Sequence, residues 1–559
     1  MKQKLRHWTL ILFIGSIFWF GWQNEVEAMQ RGLGEGLSPW VSRAVYMTRG
    51  VPHERHSTLW VQNPFATLDG AYKLPTASQQ PAVQQRLEPH VAIAQSSSAH
   101  NRHVLERLSF GITSEQMQQV ENVGIEAYIQ DQLNPELVPE SSALNDYLKQ
   151  LDSIDRKPSQ MYKQDMALGK QLNNLQLSQE QRTKVNEERT DLRRQIINEA
   201  VYSHLARAIY SNRQLQEVMV DFWFNHFNVY VDKGPTRFWI NDYENQIRNN
   251  AFGSFRDLLA VTAKHPAMLV YLDNKFNVAP NSPKGLKTKK GLNENYAREL
   301  MELHTLGVDG GYTQDDVIVL ARILTGWGVN FYNKKENQQG FVFDKNSHDF
   351  QDKVFLGHQI SASGIEEGEK ALDILASHPA TARNISYKLA QYFVADKPPS
   401  SLVDLLTQKF LDSKGDIKVV LNTLIHSSEF NSPQYYKQKF KTPYQYLISL
   451  VRIAQIETAD IKRMQGMFTQ LSMPVYKCLS PTGYKNTRSA WLNPQAMLQR
   501  ISFATAIARG SLNKDYPIEL QQLKTNLGET SQHTKQVIAK NPKKLNSALI
   551  MGSPEAMYR

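Results

Sequence analysis

Residues 293–327, NENYARELMELHTLGVDGGYTQDDVIVLARILTGW, decide how the chain is read. The stretch spells helix, tight turn, helix. Asn293 offers a side-chain cap to the first helix. Leu300, Leu303 and Leu306 recur at three-residue spacing and make an apolar face. Gly307 stands where the helix must stop, and Val308 is placed to cover its last turn. Gly310 and Gly311 turn the chain, and Thr313 with Asp316 forms a capping box that opens the second helix. The spacing therefore points to an all-α core.

The chemistry falls on the other face of the first helix. At about 100° per residue, Asn295, Glu299 and Glu302 lie within roughly 60° of one another, with Arg298 alongside. Carboxylates three residues apart can bind a divalent metal, share a proton, or hold an arginine. The plainer reading is a solvated face with its own Glu–Arg pair. His304 points about 180° from Asn295 and reads as a packed or helix-end histidine.

Other stretches carry the same mix of apolar faces and polar groups. In LQEVMVDFWFNHFNV (215–229), Leu215, Val218, Met219, Phe222 and Trp223 mark a buried helix. Asp221 and Asn225, one turn apart, share a face. His226, among aromatic neighbours, loses hydration and tends to the neutral form that a ligand or a base needs. A core histidine donating one hydrogen bond is the alternative. HPAMLVYLDN (265–274) ends in Asp273-Asn274, where a helix should stop. The following KFNVAPNSPKGLKTKKG (275–291) reads as a mobile surface loop, or as a lid over the acidic face. In GVNFYNKKENQQGFVFDKNSHDFQDKVFLG (328–357), alternating runs predict a small β-hairpin turning at KKENQQG, with His348, Asp349 and Lys353 beyond it. HPATARNISYKLAQYFV (378–394) puts His378 at a helix start, with Arg383 and Lys388 on later turns. PTGYKNTRSAWLNPQ (481–495) is a loop whose Tyr484, Arg488, Trp491 and Asn493 can wall a pocket.

The segment NENYARELMELHTLGVDGGYTQDDV closely resembles the signature of the bacterial domain-of-unknown-function-1800 family. RHVLERLSFGITSEQ (102–116), DFWFNHFNV, HPAMLVYLDN, HPATARNISYKLAQYFVADKPP (378–399), FKTPYQYLISLVRIA (440–454) and PTGYKNTRSAWLN (481–493) extend the likeness over about residues 100–510. The resemblance implies an exported, mostly helical protein, often encoded beside an exported sulfatase-like protein. It implies no particular reaction. The loop 275–291 is longer and more basic than the family's linker.

The ends of the chain read differently from its middle. Lys2, Lys4 and Arg6, an apolar run from Trp8 to Trp22, and Val26-Glu27-Ala28 form a secretory signal over 1–28. The run falls short of the ~20 residues that span a bilayer, so the mature chain is expected to start near Met29 without a transmembrane span, in the periplasm or secreted. Residues 29–99, rich in Pro, Gln, Ser and Gly, read as an irregular arm or linker. Residues 156–200 read as exposed helices, with a projecting hairpin as one arrangement, and 513–559 as a loosely attached polar, basic tail. The fold expected for 100–512 is one large, predominantly α-helical domain with a small β-hairpin insertion.

Composition narrows the function. An apolar fraction of 41% suffices for a core. The excess of 64 Lys plus Arg over 54 Asp plus Glu is spread along the chain without a nucleic-acid motif, so no nucleic-acid partner is expected. A weak attraction to anionic lipid headgroups or acidic glycans remains open. Cys478 stands alone and is expected to be buried. Phosphate loops, HExxH, GxSxG and CxxC are absent. Two functions follow. One is a hydrolase-like enzyme whose Glu299, Glu302, His226, Asn225, Asn295 and Arg298 do the chemistry, directly or through a divalent metal, with Asp273, Asn274, His348, Asp349, Tyr484 and Trp491 around the substrate. The other is a non-catalytic scaffold for an exported sulfatase-like partner, the polar groups then forming a buried network.

Overall fold

Short polar side chains start many of the helices. Thr113, Ser178, Thr313 and Thr442 each accept a backbone N–H three residues on, while Gln116, Gln181, Asp316 and Gln445 reach back to complete capping boxes. The pattern His-Pro-Ala does the same work twice. His265 and His378 accept through Nδ1 from Ala267 and Ala380, with proline at the first helical position. Each such cap contributes about 1 kcal/mol.

The computed structural model describes residues 89–559 apart from 175, 332–339, 458 and 514–517, with side chains from residue 98 onward. The expected signal at 1–28, nearly all of the arm at 29–99 and the turn KKENQQG except its Gly340 lie outside the described residues. Only the end of that arm is described, and there the helix Pro89–Leu108 begins ahead of the expected boundary.

At the centre stands the helix Gln214–His226. Leu215, Val218, Met219, Val220, Phe222, Trp223 and Phe224 are all buried, so most of this helix is packed in protein, and Asp221 and Asn225 mark a half-buried polar face. The helix Pro443–Ile453 is buried at every position. Trp223, Trp239 and Trp327 are among the largest fully buried side chains, each contributing on the order of 2–3 kcal/mol by burial. Residues 156–200 form the expected pair, Pro158–Leu172 against Gln179–Tyr210, pinned where Arg189 and Arg193 both reach the buried Asp165.

The fold is predominantly α-helical, with two small antiparallel hairpins where one was expected. β1 (Trp327–Val329) pairs with β2 (Phe341–Phe343), as the alternation predicts. β3 (Lys353–Phe355) pairs with β4 (His358–Ile360) through Leu356-Gly357, both at positive φ, the geometry of a two-residue hairpin turn. Among the described residues no helix is long and apolar enough to cross a membrane.

Two expectations need correction. The segment 275–291 is folded, with a short helix at Pro283–Thr288 capped by Ser282. The segment 513–559 is no loose tail, since Leu523, Leu527, Ile550, Met551 and Met557 are buried. Tyr558 also bridges Phe440, and Arg559 exchanges backbone hydrogen bonds with Lys439. One apolar residue per turn is enough to dock a short helix, and such thin spacing is masked by the Lys and Gln between.

Candidate functional site

The helix beginning at Asn295 does not run straight. After Asn295–Glu299 the backbone widens into a π-helical turn, Leu300–His304. Asn293 Oδ1 accepts from the Asn295 N–H, and Gly307 at φ +89 donates to Met301 O, as the capping signals predict. Val308 is 61% exposed, however, and does not cover the last turn. Thr305 Oγ1 donates to Leu300 O at 2.6 Å. The carbonyls at the end of the turn are taken by distant side chains. Lys388 Nζ donates to Leu303 O (2.9 Å), His226 Nε2 to His304 O (3.0 Å) and Asn384 Nδ2 to Thr305 O (2.7 Å). A helix C-terminus carries partial negative charge, so it suits an ammonium, and π turns are frequent at functional sites.

These contacts fix the state of His226. A carbonyl only accepts, so Nε2 carries the proton and Nδ1 is bare. Lys388 Nζ lies 3.2 Å from that bare nitrogen. Burial first, then the Lys388 and His304 charges, hold the His226 pKa well below its ordinary value. Burial lowers Lys388 to about 8. Two of its three N–H groups are committed, leaving one for a ligand.

Lys388 and His226 form part of the wall of a pocket of ≈ 410 Å³ that also holds Asp221, Asn225, Tyr392 and Tyr484. The Tyr392 hydroxyl donates to Asp221 Oδ2 at 2.9 Å and accepts from Gln445 Nε2 at 3.1 Å. Burial pushes the Asp221 pKa up, against the opposing pull of His204 and the Tyr392 hydrogen bond. A smaller cavity, ≈ 40 Å³, shares Asp221, Asn225 and Tyr484 and is bounded on its other side by His204 and Tyr476. The pocket's rim is the loop at Thr482–Thr487. Asn225 clamps it through both amide atoms, Nδ2 to Tyr484 O at 2.8 Å and Oδ1 from Tyr484 N at 2.7 Å. Gly483, at φ +69, lies so close that a Cβ would meet Asn225 O at 2.2 Å. Asp396 accepts from Arg488 N, and Lys439 donates to Asn486 O.

Of the residues singled out from sequence, Asp221, Asn225, His226 and Tyr484 therefore share one pocket. Glu299 and Glu302 are not in its wall. They stand side by side near Tyr271 and Tyr312. Burial and then the Glu302 charge raise the Glu299 pKa, offset in part by Arg298. Arg298 itself pairs with Glu294 and Gln314, and Asn295 is exposed. Asp273 pairs with Lys233 at 2.9 Å. Asn274 is buried and donates to Leu324 O and Trp327 O. His348 faces Thr325 O and Glu367 Oε1, and Asp349 holds Arg322. Trp491 donates to Lys485 O, with its ring 6.2 Å from Tyr484. Cys478 is buried as expected. Among the described residues no three His, Cys, Asp or Glu side chains converge as a metal site. A divalent ion at Glu299 and Glu302 would have two protein carboxylates, where calcium takes six to eight oxygens and magnesium six.

The sequence reading passed over Lys388, Tyr392 and Gln391 as pocket residues. A signal was present for Lys388, a lysine bordering the apolar stripe of Ile385, Leu389 and Phe393.

The comparisons bear on ancestry. No curated protein and no solved structure matches significantly. The profile of the family described as Protein of unknown function (DUF1800) matches residues 103–558. That span takes in the central helix, the π turn, the pocket loop and the docked C-terminal helices, and the chain belongs to the DUF1800 family.

Proposed function

We propose that the protein is a hydrolase-like acid–base enzyme acting on a small polar substrate in the pocket of Lys388, His226, Asp221 and Tyr392. Lys388 is the base and Asp221, hydrogen-bonded by Tyr392, the acid. The observation that carries this reading is the pair of opposed shifts in one cavity, with Asp221 raised by burial and Lys388 lowered to about 8. Groups pushed apart in this way hold the two protonation states that acid–base chemistry requires. His226 is a positioning residue. Its Nε2 is tied to His304 O, and its bare Nδ1 orients the amine. Asn225 keeps the Tyr484 loop in place as a wall that limits water.

The test is the titration of Lys388 itself. Acetic anhydride labelling of the folded protein across pH 6–11, read by peptide mass spectrometry, should give Lys388 a midpoint near 8, well below the ~10.4 of a free lysine side chain. Lys388→Met should abolish turnover of any substrate found. An ordinary midpoint for Lys388 ends the proposal. It would favour the scaffold reading, which draws on how completely Asp273, Asn274, His348 and Asp349 are engaged within the protein.

A further inference from the structure

Residues 274–291 contain Lys275, Lys284, Lys287, Lys289 and Lys290 and no Asp or Glu. The segment is held firmly from beneath. Asn277 Nδ2 donates to Ala321 O at 2.8 Å, its Oδ1 accepts from Asn293 N, and Ala279 N donates to Ser347 O. Gly285 packs so closely that a Cβ would lie 2.1 Å from Ala279 O. On this base two apolar side chains face water, Leu286 at 69% and Phe276 at 48% exposure. Lysines surround them. Lys275 and Lys290 stand over the Phe276 ring at 4.8 and 5.4 Å. Of the nearby carboxylates, Asp273 is engaged by Lys233 and Asp344 by Lys284. Lys287, Lys289 and Lys290 are exposed and make no ion pair with any described carboxylate.

We propose that this platform docks the protein onto an anionic phospholipid bilayer, with Leu286 and Phe276 entering the headgroup region and the lysines contacting phosphates. A soluble polyanion would use the charge alone and leave an exposed Leu and Phe in water. An interface uses both, since apolar groups enter its acyl boundary while lysines remain among the headgroups. The folded base matters as well, because residues already held in place lose little freedom on binding.

Co-sedimentation of the full chain with vesicles of phosphatidylcholine, with and without 30% phosphatidylglycerol, tests the proposal. The wild type should prefer the anionic vesicles and release them as salt rises. Lys287→Ala/Lys289→Ala/Lys290→Ala should weaken anionic-vesicle binding by roughly 100-fold, about fivefold for each lysine. Leu286→Asp/Phe276→Asp should weaken it at least about tenfold. The control Lys524→Ala/Lys535→Ala/Lys540→Ala removes the same charge elsewhere and should bind as the wild type does. Undiminished binding by both platform variants overturns the proposal, and so does an equal loss in the control. Retention on heparin without vesicle binding also overturns it, and assigns the patch to a soluble polyanion.

Discussion

The bare Nδ1 of His226 meets the Lys388 ammonium at 3.2 Å, although the two residues are 162 apart in sequence. The same lysine caps the π turn at Leu303 O, so one side chain joins three elements at the edge of the pocket. A buried ammonium held by one carbonyl and one neutral imidazole has no carboxylate partner among its described contacts, and burial accordingly lowers its pKa to about 8.

That lowering predicts a pH dependence. The unfolded chain keeps Lys388 near the ordinary ~10.4. Between about 8 and ~10.4 the unfolded state binds more protons, so Lys388 makes stability rise with pH across this window, and its cost is fully present below 8. Lys388→Met carries no such cost. In urea melts from pH 7 to 10.5, the stability of wild type minus variant should climb through the window. A flat difference would show that the lysine is not held at a lowered pKa.

Glu367 makes the opposite case. Burial alone would push its carboxyl up, but hydrogen bonds from His348, Lys353 and the Ser363 backbone outweigh it and hold the pKa at about 2. The Lys353–Glu367 contact is 2.6 Å, with both side chains fully buried. Lys353→Met leaves that carboxylate without its cation and should cost about 3–5 kcal/mol in chemical denaturation. Glu367 stabilises the fold above its unfolded pKa of ~4.3, and this contribution is lost as pH falls from there toward about 2. Glu367→Gln should therefore flatten the acid limb of the stability curve. An acid limb identical to that of the wild type would contradict the assignment.

Glu299 carries the reverse sign. Burial and the Glu302 charge raise its pKa, so its contribution to stability is present below the unfolded value and is lost as pH rises through the folded one. At pH 7 the ionised carboxylate is a net cost. Glu299→Gln should melt above the wild type at pH 7 and lose that advantage by pH 4. Were Glu299 part of a charged network that the fold needs, the same change would instead cost about 1–3 kcal/mol.

The local code of this protein is legible in its sequence because its causes are local. Thr313 and Asp316 lie three residues apart, and their capping box needs nothing from the rest of the chain. The same holds for the His-Pro-Ala helix starts, the stop at Asp273 and the burial of the apolar residues of the helix at Gln214–His226. Even the neutral His226 follows from its aromatic neighbours, since burial alone disfavours the charged ring.

The identity of the pocket is not local, and only the tertiary structure decides it. Arithmetic at 100° per residue assumes a regular helix, whereas 300–304 is a π turn whose end carbonyls are taken by side chains 85, 78 and 79 residues away. The sequence puts Glu299 and Glu302 together and His226 near Asn225, but which groups meet His226 and Asp221 depends on a distant helix. The helix carrying Lys388 and Tyr392 brings His226 to an amine and Asp221 to a phenol. The docking of 513–559 has the same cause, because a thin apolar stripe acquires meaning only when a matching surface is present. Sequence determined the helices, their ends and their buried faces, which depend on neighbours within a turn or two. Packing between residues far apart in the chain determined which polar groups meet.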